Sequence, residues 1–346
     1  MDSDYIARLR SDAANGNKVA EALLVGFWLK ESDSSAIRQW LTDKAAKGQG
    51  LDASFLEAEL ACFHAWPAKR SWRDLLNECC DAGHAEARFV ASIYREWART
   101  SGNVAGGDEA TDGLDARQAS WAPPRWTTVA NTDGVKVEIS TPFAPSALLG
   151  FVMANLGKQI RPSAVVDPDS GRAIAHPVRI NQSTQWYPEL LGWLGKLLEC
   201  RLATAAGYDV SNGEVLSLLH YRVGQRYKAH FDCIGEKLAT SEQGLLQGGQ
   251  RTMTVLLVMG DDDFKGGETN FPRLGTAARP ATGELLRFNN SDKEGRALPA
   301  SLHEGKPIES GQKWLLSKWV RQRTTPYGRE LDLRCADGIS ATPTDS

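Results

Sequence analysis

Tyr221-Arg222-Val223-Gly224-Gln225-Arg226-Tyr227-Lys228-Ala229-His230-Phe231-Asp232 is the stretch on which the reading of this chain turns. Gly266-Gly267-Glu268-Thr269 follows it, then His303, then Gly311-Gln312-Lys313-Trp314. His230 and Asp232 stand two apart. Side chains at i and i+2 of a strand share a face, so an imidazole nitrogen and a carboxylate oxygen can meet at one cation while Phe231 turns away. A third ligand must come from elsewhere, and His303 is the best candidate. Taken alone, a His-x-Asp pair is a weak signal; its plainer reading is a surface histidine beside a solvated carboxylate.

The companions change the balance. Two histidines and one carboxylate on one face of a metal leave the opposite positions open, the facial arrangement of non-heme Fe(II) sites. Lys313 lies ten residues beyond His303, at the start of the apolar run Trp314-Leu315-Leu316. An ammonium entering a barrel interior is costly unless it meets an anion, and a dicarboxylate cosubstrate would supply one.

From about residue 135 to 323 the chain resembles the prolyl 4-hydroxylase branch of the 2-oxoglutarate- and Fe(II)-dependent dioxygenases. The family pattern Tyr-x-x-Gly-Gln-x-Tyr-x-x-His-x-Asp is met by Tyr221 through Asp232. Gly248-Gly249-Gln250-Arg251-Thr252-Met253-Thr254, Gly266-Gly267-Glu268-Thr269-Asn270-Phe271-Pro272 and Gly311-Gln312-Lys313-Trp314 match later blocks in order. Val178-Arg179-Ile180-Asn181 matches an upstream block less closely.

The resemblance implies roles. His230, Asp232 and His303 would hold Fe(II) as metal ligands and catalytic residues. Lys313 would bind the distal carboxylate of 2-oxoglutarate, helped by the hydroxyls of Tyr221 and Thr269. Tyr227, Arg251 and Trp319 match positions lining the peptide side. The implied reaction is hydroxylation of prolyl residues at the 4-position in a protein or peptide, with O2 consumed and 2-oxoglutarate decarboxylated to succinate and CO2; ascorbate is an accessory cofactor in this reading. The alternative is a related oxygenase acting on another residue or on a small molecule, because motifs around iron and cosubstrate do not report the substrate pocket. The carboxylate at Asp232 argues against a halogenase, which leaves that ligand position to a halide. A binding module with a dead barrel is opposed by the intact triad and Lys313.

A length of 346 residues suggests two domains, and 42% hydrophobic residues suffice for globular cores. The formal charge of −3 argues against a nucleic-acid surface held by bulk charge. No apolar run reaches the roughly 18 residues of a membrane span, and the acidic start Met1-Asp2-Ser3-Asp4 does not read as a secretory signal. The six cysteines, Cys62, Cys79, Cys80, Cys200, Cys233 and Cys335, show no zinc-type spacing and fit a reducing cytoplasm.

The expected fold is α+β: an N-terminal α-helical repeat solenoid over 1–99, a linker over 100–130, a double-stranded β-helix (jelly-roll, cupin-like) catalytic domain with buttressing helices over 131–325, and a polar C-terminal tail over 326–346. In the first region Gly16, Gly48 and Gly83 recur at intervals of 32 and 35 residues, each ending one helix before a small-and-apolar helix begins. This resembles tetratricopeptide-like repeats of the Sel type in about three degenerate copies, with an insertion around Gly50 in the second. Two readings stay open: repeats that recruit a protein substrate, or a helical cap that binds nothing. Residues 163–179 read as a turn-rich lid or a surface hairpin, and residues 187–204 as a long amphipathic helix buttressing the barrel. Asp261-Asp262-Asp263 reads as a solvated turn.

Overall fold

The structure, a computed structural model, describes residues 3–100, 114, 121–163, 165–166, 173–174, 180–235, 245–260 and 263–334. The chain divides into two compact units. The described residues up to Trp121, with Tyr187–Cys200 and 333–334, form one; those of Ala122–Trp186 and Arg201–Asp332 form the other.

The first unit is built from six helices, α1 (Ser3–Ala14), α2 (Lys18–Lys30), α3 (Ser34–Ala46), α4 (Gly50–Phe63), α5 (Trp72–Asp81) and α6 (Ala85–Thr100). Gly16, Gly48 and Gly83 fall between the members of each pair with φ of 89°, 81° and 87°, the left-handed conformation glycine takes without a Cβ penalty. Gly50 starts α4, so the expected insertion is not there; the extra length lies in residues 64–71, between α4 and α5. Glu21, 7% exposed, is satisfied by Lys44 Nζ at 2.7 Å and by the indole of Trp40 at 2.9 Å. Trp193 sits among the rings of Phe55, Phe63 and Trp72, with centroids 5.3–5.9 Å away.

That tryptophan lies on the long helix expected from the sequence, which runs Gly192–Ala206 after a 3₁₀ turn at Pro188–Leu190. Its first half, through Cys200, groups with α1–α6. Its last turn does meet the sheet: Trp126 Nε1 donates to Ala205 O and Arg287 Nη1 to Ala206 O.

The second unit contains two facing antiparallel sheets, as the jelly-roll expectation requires. The larger orders Trp126–Thr132, Val135–Ser140, Leu285–Asn289, Arg251–Met259, Gln312–Arg321, Leu216–Arg222, Gln182–Trp186 and Arg161–Pro162 from edge to edge. The smaller orders Thr276–Ala278, Thr269–Phe271, His303–Gly305 and Tyr227–His230. One core joins them: Val137, Leu256, Val258, Leu286 and Leu315 from the larger sheet pack with Phe271 and Ala278 from the smaller. The Gly224-Gln225 element of the motif is the corner where the chain leaves one sheet for the other. Gly224 takes φ +79°, Gln225 Oε1 accepts from Arg222 N–H at 2.8 Å, and the backbones of Gly224 and Gln225 bond to Ile308.

Three expectations need correction. Residues 326–331 form a helix, Pro326–Leu331, capped by Thr325, with Leu331 5% and Leu333 9% exposed, so the polar tail does not start at 326. Cys200 is disulfide-bonded, whereas Cys62, Cys79, Cys80 and Cys233 form no disulfide; the reduced-thiol reading therefore does not cover the whole set. The strand carrying His230 ends there, and Asp232 lies just beyond it. Most of the expected lid, including His176, and residues 236–244 and 261–262 lie outside the described residues; Val165–Val166 and Ala173–Ile174 pair antiparallel. No helix among the described residues is long and apolar enough to cross a membrane.

Candidate metal centre

Strand register brings the two histidines together. His303 pairs directly with His230 across the smaller sheet, and the ring centroids lie 4.3 Å apart. Asp232 completes the group, with Oδ1 3.5 Å from His230 Nε2 and Oδ2 3.6 Å from His303 Nε2. One donor atom from each residue lies within 4.8 Å of the others.

Both imidazoles are held through Nδ1. His230 Nδ1 is 2.8 Å from Lys228 O, and His303 Nδ1 is 3.0 Å from Ser301 O. A carbonyl can only accept, so each Nδ1 carries a proton, and each Nε2 is turned toward Asp232. Tyr227 stacks on His230 at 3.5 Å and 12° and fixes the ring plane. Burial alone would raise the Asp232 carboxyl, but the His303 and His230 rings and the Thr254 hydroxyl hold it well below the usual carboxylate range. Burial pushes His303 down to about 4, against the pull of Asp232. Two imidazole nitrogens and a carboxylate are the donor set a divalent cation of intermediate softness takes.

The triad opens into a cavity of about 630 Å³, counting open space at its mouth. The inward residues of Gln312–Arg321 line it in alternation: Lys313, Leu315, Ser317 and Trp319. Tyr221, in register with Lys313, and Thr269 line it too. Lys313 is 6% exposed and its ammonium donates to Gly267 O. Burial lowers it to about 8, a fall opposed by Glu268 and aided by Arg279. Gly267 makes room for it: at φ +72°, a Cβ there would stand 2.5 Å from Ile308 Cδ1 and 3.3 Å from Lys313 Cδ.

Residues 216–321 match the model of the 2OG-Fe(II) oxygenase superfamily. Prolyl 4-hydroxylase 2 of Arabidopsis thaliana is 32% identical over 207 residues, covering 54% of this chain and 67% of that protein. The chain belongs to this superfamily. Prolyl 4-hydroxylase 1 of the same plant is 30% identical over 194 residues, covering 51% of this chain and 65% of that one; the chain thus spans just under two thirds of that relative. Among solved structures, the viral collagen prolyl hydroxylase of Paramecium Bursaria Chlorella virus-1 aligns at 22% identity with a TM-score of 0.41, covering 54% of this chain and 95% of that one.

Tyr227 and Trp319 line the cavity beside the three residues, whereas Arg251 does not. Arg251 is engaged on three sides: a two-pronged pair with Glu214 at 2.7 and 2.8 Å, a bond to Asp232 O at 3.2 Å, and the Trp319 ring beneath it. Sequence reasoning missed Glu214, Thr254 and Asn290. Thr254 Oγ1 lies 2.6 Å from Asp232 Oδ2, and Asn290 Nδ2 lies 2.8 Å from Thr254 Oγ1. The one available signal was a threonine amid the apolar run Val255-Leu256-Leu257-Val258. His220 faces the other way, stacked on Trp314 at 3.8 Å and bonded to Gln312 Oε1 at 2.9 Å. Cys233, its thiol pushed up to about 11 by burial and by Asp232, donates to Asn290 O; a protonated, bonded thiol is a packing group.

Proposed function

We propose that the chain is a 2-oxoglutarate- and Fe(II)-dependent dioxygenase that hydroxylates prolyl residues in a protein or peptide. The observation that carries this reading is the convergence of His230, Asp232 and His303 at one end of a cavity whose lining includes the buried ammonium of Lys313. His230 Nε2, His303 Nε2 and Asp232 would hold Fe(II). Lys313 would pair with the distal carboxylate of 2-oxoglutarate, with Tyr221 and Thr269 beside it. Bound Fe(II), with 2-oxoglutarate and O2, supplies the oxidising power for C–H hydroxylation, leaving succinate and CO2.

The chain's own part is positioning and exclusion. The Nδ1–H bonds to Lys228 O and Ser301 O hold both rings with Nε2 toward Asp232. Leu219, Leu256, Ile308 and Leu315 supply apolar walls that keep water from the reacting centre. Tyr227 and Trp319 offer aromatic faces to a peptide, and Arg251 acts on that side by holding Trp319. Support for proline as the target comes from the prolyl 4-hydroxylases among the relatives.

The experiment is anaerobic loading with Fe(II), then O2 and 2-oxoglutarate with proline-containing peptides, reading succinate and the gain of one oxygen by mass spectrometry. Hydroxyproline formed in step with succinate is expected. Succinate without a modified prolyl residue favours the reading of another residue or a small molecule; no Fe(II)-dependent succinate with any substrate ends the oxygenase reading.

A further inference from the structure

We propose that Asn290 is a positioning residue for the metal site: by donating to Thr254 it aims the Thr254 hydroxyl at one oxygen of Asp232 and leaves the other for the cation. This rests on the metal-site reading above and extends it to a residue that touches neither metal nor substrate.

Three atoms form the relay. Asn290 Nδ2 reaches Thr254 Oγ1 at 2.8 Å, and Thr254 Oγ1 reaches Asp232 Oδ2 at 2.6 Å. Its direction follows from the chemistry of the groups. An ionised carboxylate only accepts, so the single hydroxyl proton of Thr254 must point to Asp232. That hydroxyl can then only accept from Asn290, so the amide must present its NH₂ and not its carbonyl. With the Thr254 proton committed, Oδ2 has one lone pair occupied, and Oδ1 is the oxygen left free for a single metal bond. A carboxylate held to one metal bond keeps an extra coordination position clear for cosubstrate.

The surroundings show that the relay is built and held. Asn290 is 0% and Thr254 1% exposed. The Asn290 backbone is fixed by its N–H to Thr252 O at 2.8 Å, by Leu298 N–H to its carbonyl at 2.9 Å, and by the Cys233 thiol on the same carbonyl at 3.1 Å. The side-chain Oδ1 has no hydrogen-bond partner among the described residues. An unpaired buried acceptor costs about 1–3 kcal/mol, a cost that a leucine of similar size would not incur. An amide kept at this position is therefore poorly explained by stability and well explained by the one bond it does make.

The test is Co(II) titration of the full chain without cosubstrate, following the dissociation constant by calorimetry and the coordination by visible absorption. Asn290→Leu and Thr254→Val are each expected to weaken Co(II) binding about ten- to a hundredfold. The double variant should be little worse than either single one, because both cut the same chain. Asn290→Asp is the sharper probe. It offers an acceptor where the amide offered a donor, draws the Thr254 proton away from Asp232, and should weaken binding more than Asn290→Leu does. Wild-type affinity in Asn290→Leu, additive losses in the double variant, or Asn290→Asp binding no worse than Asn290→Leu would each overturn the proposal. If circular dichroism shows either Asn290 variant unfolded, Thr254→Val decides: a tenfold or greater loss with a changed spectrum supports it, and wild-type affinity overturns it. Failure of the wild-type chain to bind Co(II) would sink the metal-site reading itself, an outcome distinct from a variant that binds as the wild type does.

Discussion

The guanidinium of Arg251 lies over the indole of Trp319, 3.6 Å from the ring centroid, while Glu214 pairs with it at 2.7 Å. Arg321 Nη1 shares Glu214 at 3.0 Å. One carboxylate is therefore shared by two guanidiniums. Replacing it as Glu214→Gln removes the shared anion and leaves two cations facing each other; a loss of about 3 kcal/mol is expected in urea unfolding. The two arginines outweigh burial and hold Glu214 below the usual carboxylate range. Its contribution is thus present above the ordinary value of about 4.5 and is lost as pH falls through the lowered folded value. The acid limb of the stability curve should flatten in the variant, and an unchanged limb would refute the assignment.

Lys313 gives two pH dependences of opposite sign. Only the protonated amine pairs with a carboxylate, so 2-oxoglutarate affinity should be level below about pH 8 and decline from there up to the pKa in the complex, which the bound anion raises. The unliganded chain behaves otherwise. Unfolded, the amine keeps its proton to 10.5, and folded it releases it near 8, so stability climbs between those values. Lys313→Ala should weaken cosubstrate binding by about 2–5 kcal/mol with little change in metal affinity. Calorimetry at several pH values separates these, and an equal loss of metal binding would remove Lys313 from the anchor role.

Each ligand can be withdrawn singly. His230→Ala, Asp232→Ala and His303→Ala should abolish saturable Fe(II) binding at micromolar metal under anaerobic titration. Tight stoichiometric binding surviving in any of them would place the cation elsewhere.

Trp193→Ala should cost about 3–5 kcal/mol, since the ring is 1% exposed and its loss opens a cavity among Phe55, Phe63 and Trp72. Thermal unfolding by near-ultraviolet dichroism reads it directly. A shift no larger than that of a surface variant would mean the ring is replaceable by its neighbours.

Much of the site was legible because its signals are local. His230 and Asp232 lie two apart, and Gly224-Gln225 spells out a corner. The helix ends at Gly16, Gly48 and Gly83 likewise follow from one residue each, a glycine free to take positive φ. The supporting groups were not legible. Asn290 is 36 positions from Thr254, and Glu214 is 37 from Arg251; such pairings come from strand order, which periodicity does not encode. The neighbours of the helix Gly192–Ala206 were illegible for a related reason. An apolar stripe says that a helix is covered, not by which neighbours, and here the cover for its first half is aromatic and comes from the N-terminal helices.

The return of Tyr187–Cys200 to the first unit bears on any attempt to dissect the protein. A shortened polypeptide starting near residue 122 would keep Trp193 but strip it of Phe55, Phe63 and Trp72, leaving an adhesive ring bare to solvent. Inactivity in such a fragment would report insolubility, not a lost recruiting surface. Point changes within the intact polypeptide are the cleaner way to learn what the N-terminal helices contribute.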